Sequence, residues 1–308
     1  MVPVYRGWDH ATALLNGLGP QPDSLEIVVV DDASADGGAE RFAAAHPGVR
    51  IVVRAENGGF AAAVNSGVAA AGAEVLVVVN SDLALSSAAV GQLAATALDH
   101  PQAILGPRTV RPDGREIHIA HPFPSPFADC RELFAPYRLL RRRAHARGAV
   151  NPPAPGPGPG PGPVRCDWVV GSCLAFTRAA WRRAGPLDEH FGMYSEETDW
   201  QRRARDRGVH AAYLPDVTVR HDETHGTRRS DPSGDRRFRA VWRSRYRYHR
   251  RYGGRRAGAS LKGLWLAGFA VSAPVWLLYV LVPGHRTDAL AELRRAALLA
   301  RAAVGGPL

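Results

Sequence analysis

The sequence predicts an α/β fold: a mixed, mostly parallel sheet with helices on both faces, followed by a helical tail. Residues 75–79 are five consecutive apolar residues without a polar face, as in a strand buried on both sides of a parallel sheet. Segments with helical spacing alternate with such strands over short links. Polar residues follow the strands directly, and ligands of such sheets bind beyond the carboxyl ends of the strands.

The elements of the first half follow in order along the chain. A short apolar start at residues 1–5 is expected to be a first strand shortened at its amino end. Further strands are expected over 25–30, 49–54 and 75–79, and helices over 10–18, 39–45 and 60–71. Neither Gly-x-Gly-x-x-Gly nor Gly-x-x-x-x-Gly-Lys-Ser/Thr follows these strands, which argues against a dehydrogenase-type dinucleotide fold and a P-loop NTPase.

Composition restricts the partners and the setting. A formal net charge of +10 implies an anionic partner, whether nucleotide phosphate, acidic lipid or nucleic acid. Cys130, Cys166 and Cys173 lack paired metal spacing, so we expect reduced, structural thiols in a cytosolic setting. Residues 1–15 carry charges and no continuous apolar core, so no signal peptide is expected.

The tripeptide Asn80-Ser81-Asp82 follows the most apolar strand. A carboxylate on a short side chain is suited there to hold a divalent cation against a diphosphate. A polar turn that merely ends the strand is the alternative.

Several motifs in fixed order resemble the family 2 glycosyltransferases, and the rhamnosyltransferase-like branch is the most similar. The first three cover residues 28–37 (Val-Val-Val-Asp-Asp-Ala-Ser-Ala-Asp-Gly), 56–67 and 80–82, and those that follow cover 168–178, 187–200 and 213–221. The likeness spans about residues 2–250. It implies the GT-A fold, a Rossmann-like nucleotide-diphospho-sugar transferase core, and inverting transfer of a sugar.

The resemblance also implies a nucleotide-sugar site. It assigns recognition of the nucleoside base to Asp31 or Asp32, although each could instead cap the following loop. Asn57 and Asn65 are expected to line the nucleotide pocket, although the loop at Asn57 could be only a turn. Asn80 and Ser81 are expected to complete this lining.

A metal site is implied at Asp82, which stands in the place of the family's Asp-x-Asp motif. Here Asn80 occupies the first position, removes one negative charge and is expected to weaken binding of Mg²⁺ or Mn²⁺. His221, at the end of a predicted strand, would complete the coordination as a neutral imidazole. His225 could substitute for it.

The acidic cluster Glu196, Glu197 and Asp199 precedes a predicted helix, where the helix dipole alone would favour carboxylates. The resemblance makes the second residue, Glu197, the base that deprotonates the acceptor hydroxyl; the family has Asp there. Glu196 and Asp199 are the alternatives. The Gln-x-x-Arg-Trp motif of processive synthases is absent after Gln201, which favours transfer of a single sugar.

Two domains are expected: a glycosyltransferase domain over 1–255, with a Pro/Gly-rich insertion at about 148–164, and a membrane-associated tail over 256–308. Ten arginines and no acidic residue lie in 236–256. The uncharged run 263–282 could span a bilayer or lie along it.

A last amphipathic helix, with Leu290 and Leu293 on its apolar face, is expected along the same membrane surface. We therefore expect an enzyme at the cytoplasmic face of the membrane. Its acceptor would be a lipid-linked or cell-envelope saccharide, and no nucleic-acid partner is expected. The alternatives are a catalytically impaired binder of nucleotide sugar or glycan, and a nucleotidyltransferase.

Overall fold

The amino-terminal strands form a parallel sheet in the order β1–β2–β3. The computed structural model describes residues 1–139, 162–222 and 235–306. The strands are Val2–Val4 (β1), Val28–Asp31 (β2) and Arg50–Val53 (β3), and the helices are Trp8–Leu18 (α1), Gly38–Ala45 (α2) and Gly59–Ala70 (α3). All four residues of β2 are buried, because its neighbours flank it in the sheet and helices cover its faces.

A larger, mixed sheet continues from the first. Its main path is β4 (Val75–Val79), β11 (Cys173–Thr177), β6 (Ala103–Val110), β12 (His210–His221) and β5 (Leu83–Ala84). Glu116–Ile117 (β7) pairs with β6 and Val164–Cys166 (β9) pairs with β12 at its margins, while Ala120–His121 (β8) and Trp168–Val169 (β10) form a separate two-stranded sheet. The Val79 N–H donates to the Met1 carbonyl at 2.9 Å, which joins the larger sheet to the first. The mixed sheets with helices on both faces are confirmed, but the expectation of mostly parallel pairing is wrong for the larger sheet. Among its described pairings only β6–β12 is parallel, because β11, β5, β7 and β9 enter antiparallel to their neighbours.

Apolar layers cover both faces of the sheet. On one side, Leu14 of α1 packs with Leu93 of helix Ser87–Asp99 (α4). On the other, Val64 of α3 packs with Trp200 of helix Glu196–Arg205 (α7) and with Phe176, whose ring lies 5.1 Å from that of Trp200. Helix Arg178–Ala184 (α6) completes this second layer. Burial of each large side chain contributes about 1.5–3 kcal/mol.

A second, helical unit comprises Pro124–Pro153 and Thr227–Leu308, whereas the sheets belong to Met1–Phe123 and Ala154–Gly226. Its described helices are Pro126–Cys130 (α5), the 3₁₀ turn Arg131–Leu133, residues 135–139, Asp235–Val280 (α8) and Arg286–Ala303 (α9). The predicted domain boundary at residue 255 stays a prediction. In the structure, the arginine-rich segment 236–256 belongs to the helical unit. Most of the predicted insertion at 148–164 lies outside the described residues.

The long helix α8 is broken at Gly254, whose φ of 61° and ψ of −154° are not helical. Residues 235–253 and 255–280 therefore pack antiparallel, with the rings of Trp242 and Trp265 5.8 Å apart. Leu293 of α9 packs inward, in a cluster with Trp276, while Leu290 is 48% exposed. The predicted apolar face of this last helix is thus divided between the helical core and the surface.

Candidate active site

Asp82 and His221 meet at the carboxyl edge of the sheet. Asp82 lies in the turn between β4 and β5, and His221 ends β12, opposite Leu83 of β5. This register brings Nε2 of His221 to 3.1 Å from Oδ1 of Asp82, and both side chains are partly exposed. Residues 139 positions apart thus lie side by side, as the motif order led us to expect. Their role as metal ligands stays a prediction.

The Asp82–His221 pair fits two neighbouring ligands of a divalent cation. Adjacent oxygen ligands of octahedral Mg²⁺, at about 2.1 Å from the ion, are about 3 Å apart, and the two donor atoms here are separated by 3.1 Å. Within the described ranges, no three His, Cys, Asp or Glu side chains are grouped to hold a metal. His225 lies outside the described residues.

Asp32 stabilises the loop that precedes α3 through hydrogen bonds. Its Oδ1 accepts hydrogen bonds from Nε of Arg54 at 2.9 Å and from the Gly58 N–H at 3.0 Å, and its Oδ2 accepts from the Gly59 N–H at 2.7 Å. The Asp32 carbonyl also accepts from Nδ2 of Asn57 at 3.0 Å. The chain itself therefore satisfies both carboxylate oxygens of Asp32.

Asp31 is buried at the end of β2 and caps its own loop. Its Oδ1 accepts hydrogen bonds from the Ser34 N–H at 3.0 Å and from the Ser34 hydroxyl. Its Oδ2 makes no hydrogen bond within the part of the chain that the structure describes. Of the two aspartates, Asp31 thus keeps an oxygen for a ligand.

Asn65 bridges α3 to the segment before the acidic cluster. Its Nδ2 donates to the Leu187 carbonyl at 3.0 Å and to Oε1 of Glu189 at 2.8 Å. Its Oδ1 accepts from the Leu187 N–H at 3.0 Å. Both ends of the amide are used within the chain, and its place in a nucleotide pocket stays a prediction.

The three carboxylates at the start of α7 have different surroundings. Asp199 is buried and pairs with Nε of Arg203 at 2.8 Å. Burial, and secondarily the neighbouring Glu197, raise the pKa of Glu196 well above its usual range. Glu197 is only half-buried, and a Cβ added at Gly171 would come within 3.2 Å of its Cβ. Glu197 is therefore the one residue of the three that is not buried as a whole, although its Oε2 atom is buried.

Gly171 connects this cluster to the Asn80-Ser81-Asp82 turn. The residue after it, Ser172, accepts a hydrogen bond from the Asn80 N–H through its carbonyl at 2.8 Å. Ser81 lies in the same turn, with its hydroxyl 3.6 Å from the position of a Cβ on Gly7. Glu197 thus lies beside Gly171 and Ser172, the backbone segment that is hydrogen-bonded to the Asn80-Ser81-Asp82 turn. No sequence pattern around Gly171 had indicated this arrangement.

Backbone strain is concentrated in loops at this edge. The described non-glycine residues with positive φ are Arg6, Ala33, Ala35, Tyr194 and Ser195. They follow β1 and β2 or directly precede Glu196. Such conformations cost about 1–3 kcal/mol each and persist only where surrounding contacts impose them, as happens at functional sites. Sequence reasoning missed these positions, because none carries a residue type that favours positive φ.

Comparison with known proteins gives one matching family and a curated relative. Residues 1–151 match the model of the family Glycosyl transferase family 2. A Mycobacterium tuberculosis relative, N-acetylglucosaminyl-diphospho-decaprenol L-rhamnosyltransferase, is 28% identical over 228 residues, covering 68% of this chain and 70% of the relative.

Solved structures agree in fold at low sequence identity. The structure of S. aureus TarS 1–349 in complex with UDP-GlcNAc has a TM-score of 0.50 and 15% identity, covering 99% of this chain and 91% of that one. GalNAc-T7 with UDP, GalNAc and Mn²⁺ has a TM-score of 0.52 and 14% identity over 72% of this chain. This chain spans 43% of the GalNAc-T7 chain.

The fold is that of the GT-A glycosyltransferases. The matched region, residues 1–151, belongs to glycosyltransferase family 2, and the similarity to the mycobacterial enzyme extends over 68% of the chain.

Proposed function

We propose that this chain transfers a single sugar from a nucleoside-diphosphate sugar to an acceptor hydroxyl, with inversion at the anomeric carbon. The 3.1 Å approach of His221 to Asp82 at the carboxyl edge of the sheet carries the proposal. Glu197, beside the backbone segment bonded to the same turn, supports it. Asp82 and His221 would bind the cation that holds the diphosphate, and Glu197 would be the base for the acceptor hydroxyl.

The donor site divides into residues that touch the nucleotide and residues that hold the loops. Asp31 would accept a hydrogen bond from the nucleoside base through its remaining oxygen, and Asn80 and Ser81 would line the diphosphate. Asp32 fixes the loop at Gly58 and Gly59 from within the chain. Asn57 and Asn65 also carry intrachain hydrogen bonds, which favours positioning roles for both.

Asp82 and His221 would hold Mg²⁺ or Mn²⁺. Bound there, the cation would neutralise negative charge that develops on the departing diphosphate. Asn80, neutral where the family's motif has Asp, leaves the site one charge weaker.

Glu197 would act as the general base. Its carboxylate takes the proton of the acceptor hydroxyl as that oxygen bonds to the anomeric carbon. The bond from this carbon to the diphosphate oxygen breaks at the same time, and the nucleoside diphosphate leaves with the electron pair. One displacement inverts the configuration, and the proton remains on Glu197.

The acceptor proposed is a lipid-linked saccharide. The mycobacterial relative is described as acting on N-acetylglucosaminyl-diphospho-decaprenol, and helix Asp235–Val280 is long and apolar enough, by length and composition alone, to cross a membrane. The ten arginines of 236–256 would favour the anionic cytoplasmic surface. We propose membrane association at that face, with no role for nucleic acid.

One alternative has specific support: a non-catalytic binder of nucleotide sugar. Asn80 in place of Asp, and a described metal-binding set limited to two residues, favour it. The nucleotidyltransferase alternative is weaker, because Arg6-Gly7-Trp8 is a poor substitute for a glycine-rich phosphate loop.

Incubation of the whole protein with a panel of nucleotide sugars and a polyprenyl-diphosphate-linked sugar separates these alternatives. We expect release of nucleoside diphosphate that depends on the acceptor and on Mn²⁺ or Mg²⁺, and NMR of the product should show an inverted anomeric centre. Retention of configuration would refute the single displacement. Thermal stabilisation by one nucleotide sugar without any turnover would establish the binder instead.

A further inference from the structure

One face of helix 255–280 is apolar and exposed. Its exposed members recur at steps of three and four residues, which places them on one side of the helix. We call this set the apolar stripe: Gly263, Leu266, Ala267, Ala270, Val271, Pro274, Leu277, Leu278 and Leu281, the last just beyond the helix end. Leu278 and Leu281 are 67% and 80% exposed. No member carries a charge.

The opposite face of the same helix is packed within the helical unit. Trp265 contacts Trp242 of segment 235–253. The Ser272 hydroxyl donates to the Leu133 carbonyl and accepts from the Ala135 N–H, both at 2.8 Å. These contacts fix which side of the helix is turned outward.

Helix 255–280 exposes more apolar surface than a helix packed in the core of a soluble protein does. Only 22% of the most apolar 18-residue window, with a mean hydropathy of 1.6, is buried. A continuous apolar patch of this kind marks an interaction surface. It therefore requires a partner with an apolar interior.

The neighbouring charges indicate what kind of partner. Segment 235–253 is antiparallel to the stripe-bearing helix, and positions 236–256 contain no acidic residue. Its exposed arginines, and those at the break, are Arg236, Arg237, Arg243, Arg247, Arg250, Arg251, Arg255 and Arg256. Apolar side chains beside a cationic segment match the boundary between headgroups and acyl chains of an anionic bilayer.

The same packing argues against a transmembrane orientation. A Cβ on Gly258 would lie 2.5 Å from Cδ of Arg250, so the arginine-rich segment touches the apolar helix directly. If the apolar helix crossed the bilayer with this packing intact, the attached arginines would enter hydrocarbon. Each arginine at the bilayer centre costs about 2.5–3.5 kcal/mol on insertion scales. Segment 235–253 carries six exposed arginines, which makes that arrangement unfavourable.

We propose that the helical unit lies in the plane of an anionic bilayer surface, with the apolar stripe at the headgroup–acyl boundary, and that residues 255–280 do not span it. The inference rests on the proposed membrane association and specifies its geometry. The occupant is the lipid surface.

Depth measurement by spin labelling tests the orientation. Single cysteines replace Gly263, Ala267, Val271 and Leu278 of the whole protein, in a Cys166→Ser background, since Cys130 and Cys173 are buried. On phosphatidylglycerol-containing vesicles, an in-plane helix gives all labels a similar shallow depth of about 5–10 Å. A spanning helix gives depths that change by about 22 Å between positions 263 and 278, and that result would overturn the in-plane orientation alone.

Vesicle flotation tests the association and the surface. The wild-type protein should float with phosphatidylglycerol vesicles and less with pure phosphatidylcholine, and L277E/L281E should lose flotation. Leu98→Glu, at a 56% exposed leucine of α4, is the matched control and should float like wild type. Failure of the wild type to float would refute membrane association itself. Undiminished flotation of L277E/L281E, or a stripe-dependent dimer in place of flotation, would refute the assigned surface.

Discussion

Glu196 and Glu197 are adjacent carboxylates that the fold places in different surroundings. The side chain of Glu196 is 4% exposed, and its Oε2 has no hydrogen-bond partner in the described part of the chain. Glu197 is half-buried beside Gly171. A base must reach its substrate, and residue burial favours Glu197, which is the one member of the cluster that is not buried as a whole, although its Oε2 is buried too.

Glu197→Gln should lower kcat by about 10²–10⁴-fold, because a general base contributes that much, while donor affinity stays unchanged. Steady-state kinetics together with calorimetric donor titration measure both. Asp206→Asn, at an exposed carboxylate just beyond α7, is the matched control and should keep wild-type kcat. Full turnover in the Glu197 variant would mean that another group takes the proton.

Glu196 should also make stability depend on pH. Because its pKa is raised in the folded state, the proton stays bound there above the usual carboxyl range of about 4–4.5, and stability falls as pH rises through the raised pKa. Glu196→Gln removes this loss. The variant should be more stable than wild type at pH 8, with the difference shrinking towards pH 4.5, as measured by thermal unfolding. A difference independent of pH would contradict the buried, protonated carboxyl.

Sequence reasoning was most effective for residues in motifs that follow predicted strands in a fixed order along the chain. The proximity of Asp82 and His221 was expected from the order of the motifs that resemble family 2 glycosyltransferases. The contacts of Asn65 with Leu187 were not, because they join residues 122 positions apart through helix packing. Residue type alone could not distinguish the fully bonded Asp32 from Asp31.

At the scale of elements, the loop before α3 depends on a close approach of two backbones. Gly59 has a φ of 78°, and a Cβ there would lie 2.2 Å from the Gly192 carbonyl oxygen. Its N–H donates to Asp32, and Gly192 precedes the strained turn that leads to Glu196. The Gly58-Gly59 pair is therefore a structural requirement of the site.

Gly59→Ala should destabilise the protein by about 2–4 kcal/mol, from the positive φ and the backbone clash together, and should also reduce activity. Denaturant unfolding measures the loss. Gly91→Ala is the matched control: nothing lies within 4 Å of its added Cβ, and it sits inside α4. That variant should gain up to about 1 kcal/mol. Equal stabilities of the two variants would refute the close approach.

The elements of residues 1–79 were predicted to within about three residues, because buried strands and amphipathic helices have distinct periods, whereas α4 and β6 had no sequence-based prediction. The break at Gly254 was not predicted. A Gly-Gly pair between two helical patterns is compatible with a continuous helix, and only the packing of Trp242 on Trp265 requires the chain to reverse there. The antiparallel insertion of β11 beside β4 also depends on tertiary pairing.

At the scale of the whole molecule, a sheet domain and a helical unit divide the proposed tasks between catalysis and attachment. The net charge of +10 is concentrated in the arginines of the helical unit, where the sequence had suggested a membrane surface rather than nucleic acid. Composition indicates an anionic partner but not how the helical unit would face it. The proposed in-plane orientation rests on the exposed apolar stripe, because packing determines which helix face is exposed.

The central claim is that Asp82 and His221 bind the cation through which the protein holds a nucleoside diphosphate. Calorimetric titration of the whole protein with nucleoside diphosphates, with and without Mn²⁺, tests it most directly. For the nucleotide that binds, Mn²⁺ should raise affinity at least about tenfold, or 1.4 kcal/mol, and Asp82→Asn should abolish that gain. Asp113→Asn, at an exposed aspartate, should preserve it. Equal affinity with and without Mn²⁺, or an undiminished gain in Asp82→Asn, would contradict the claim.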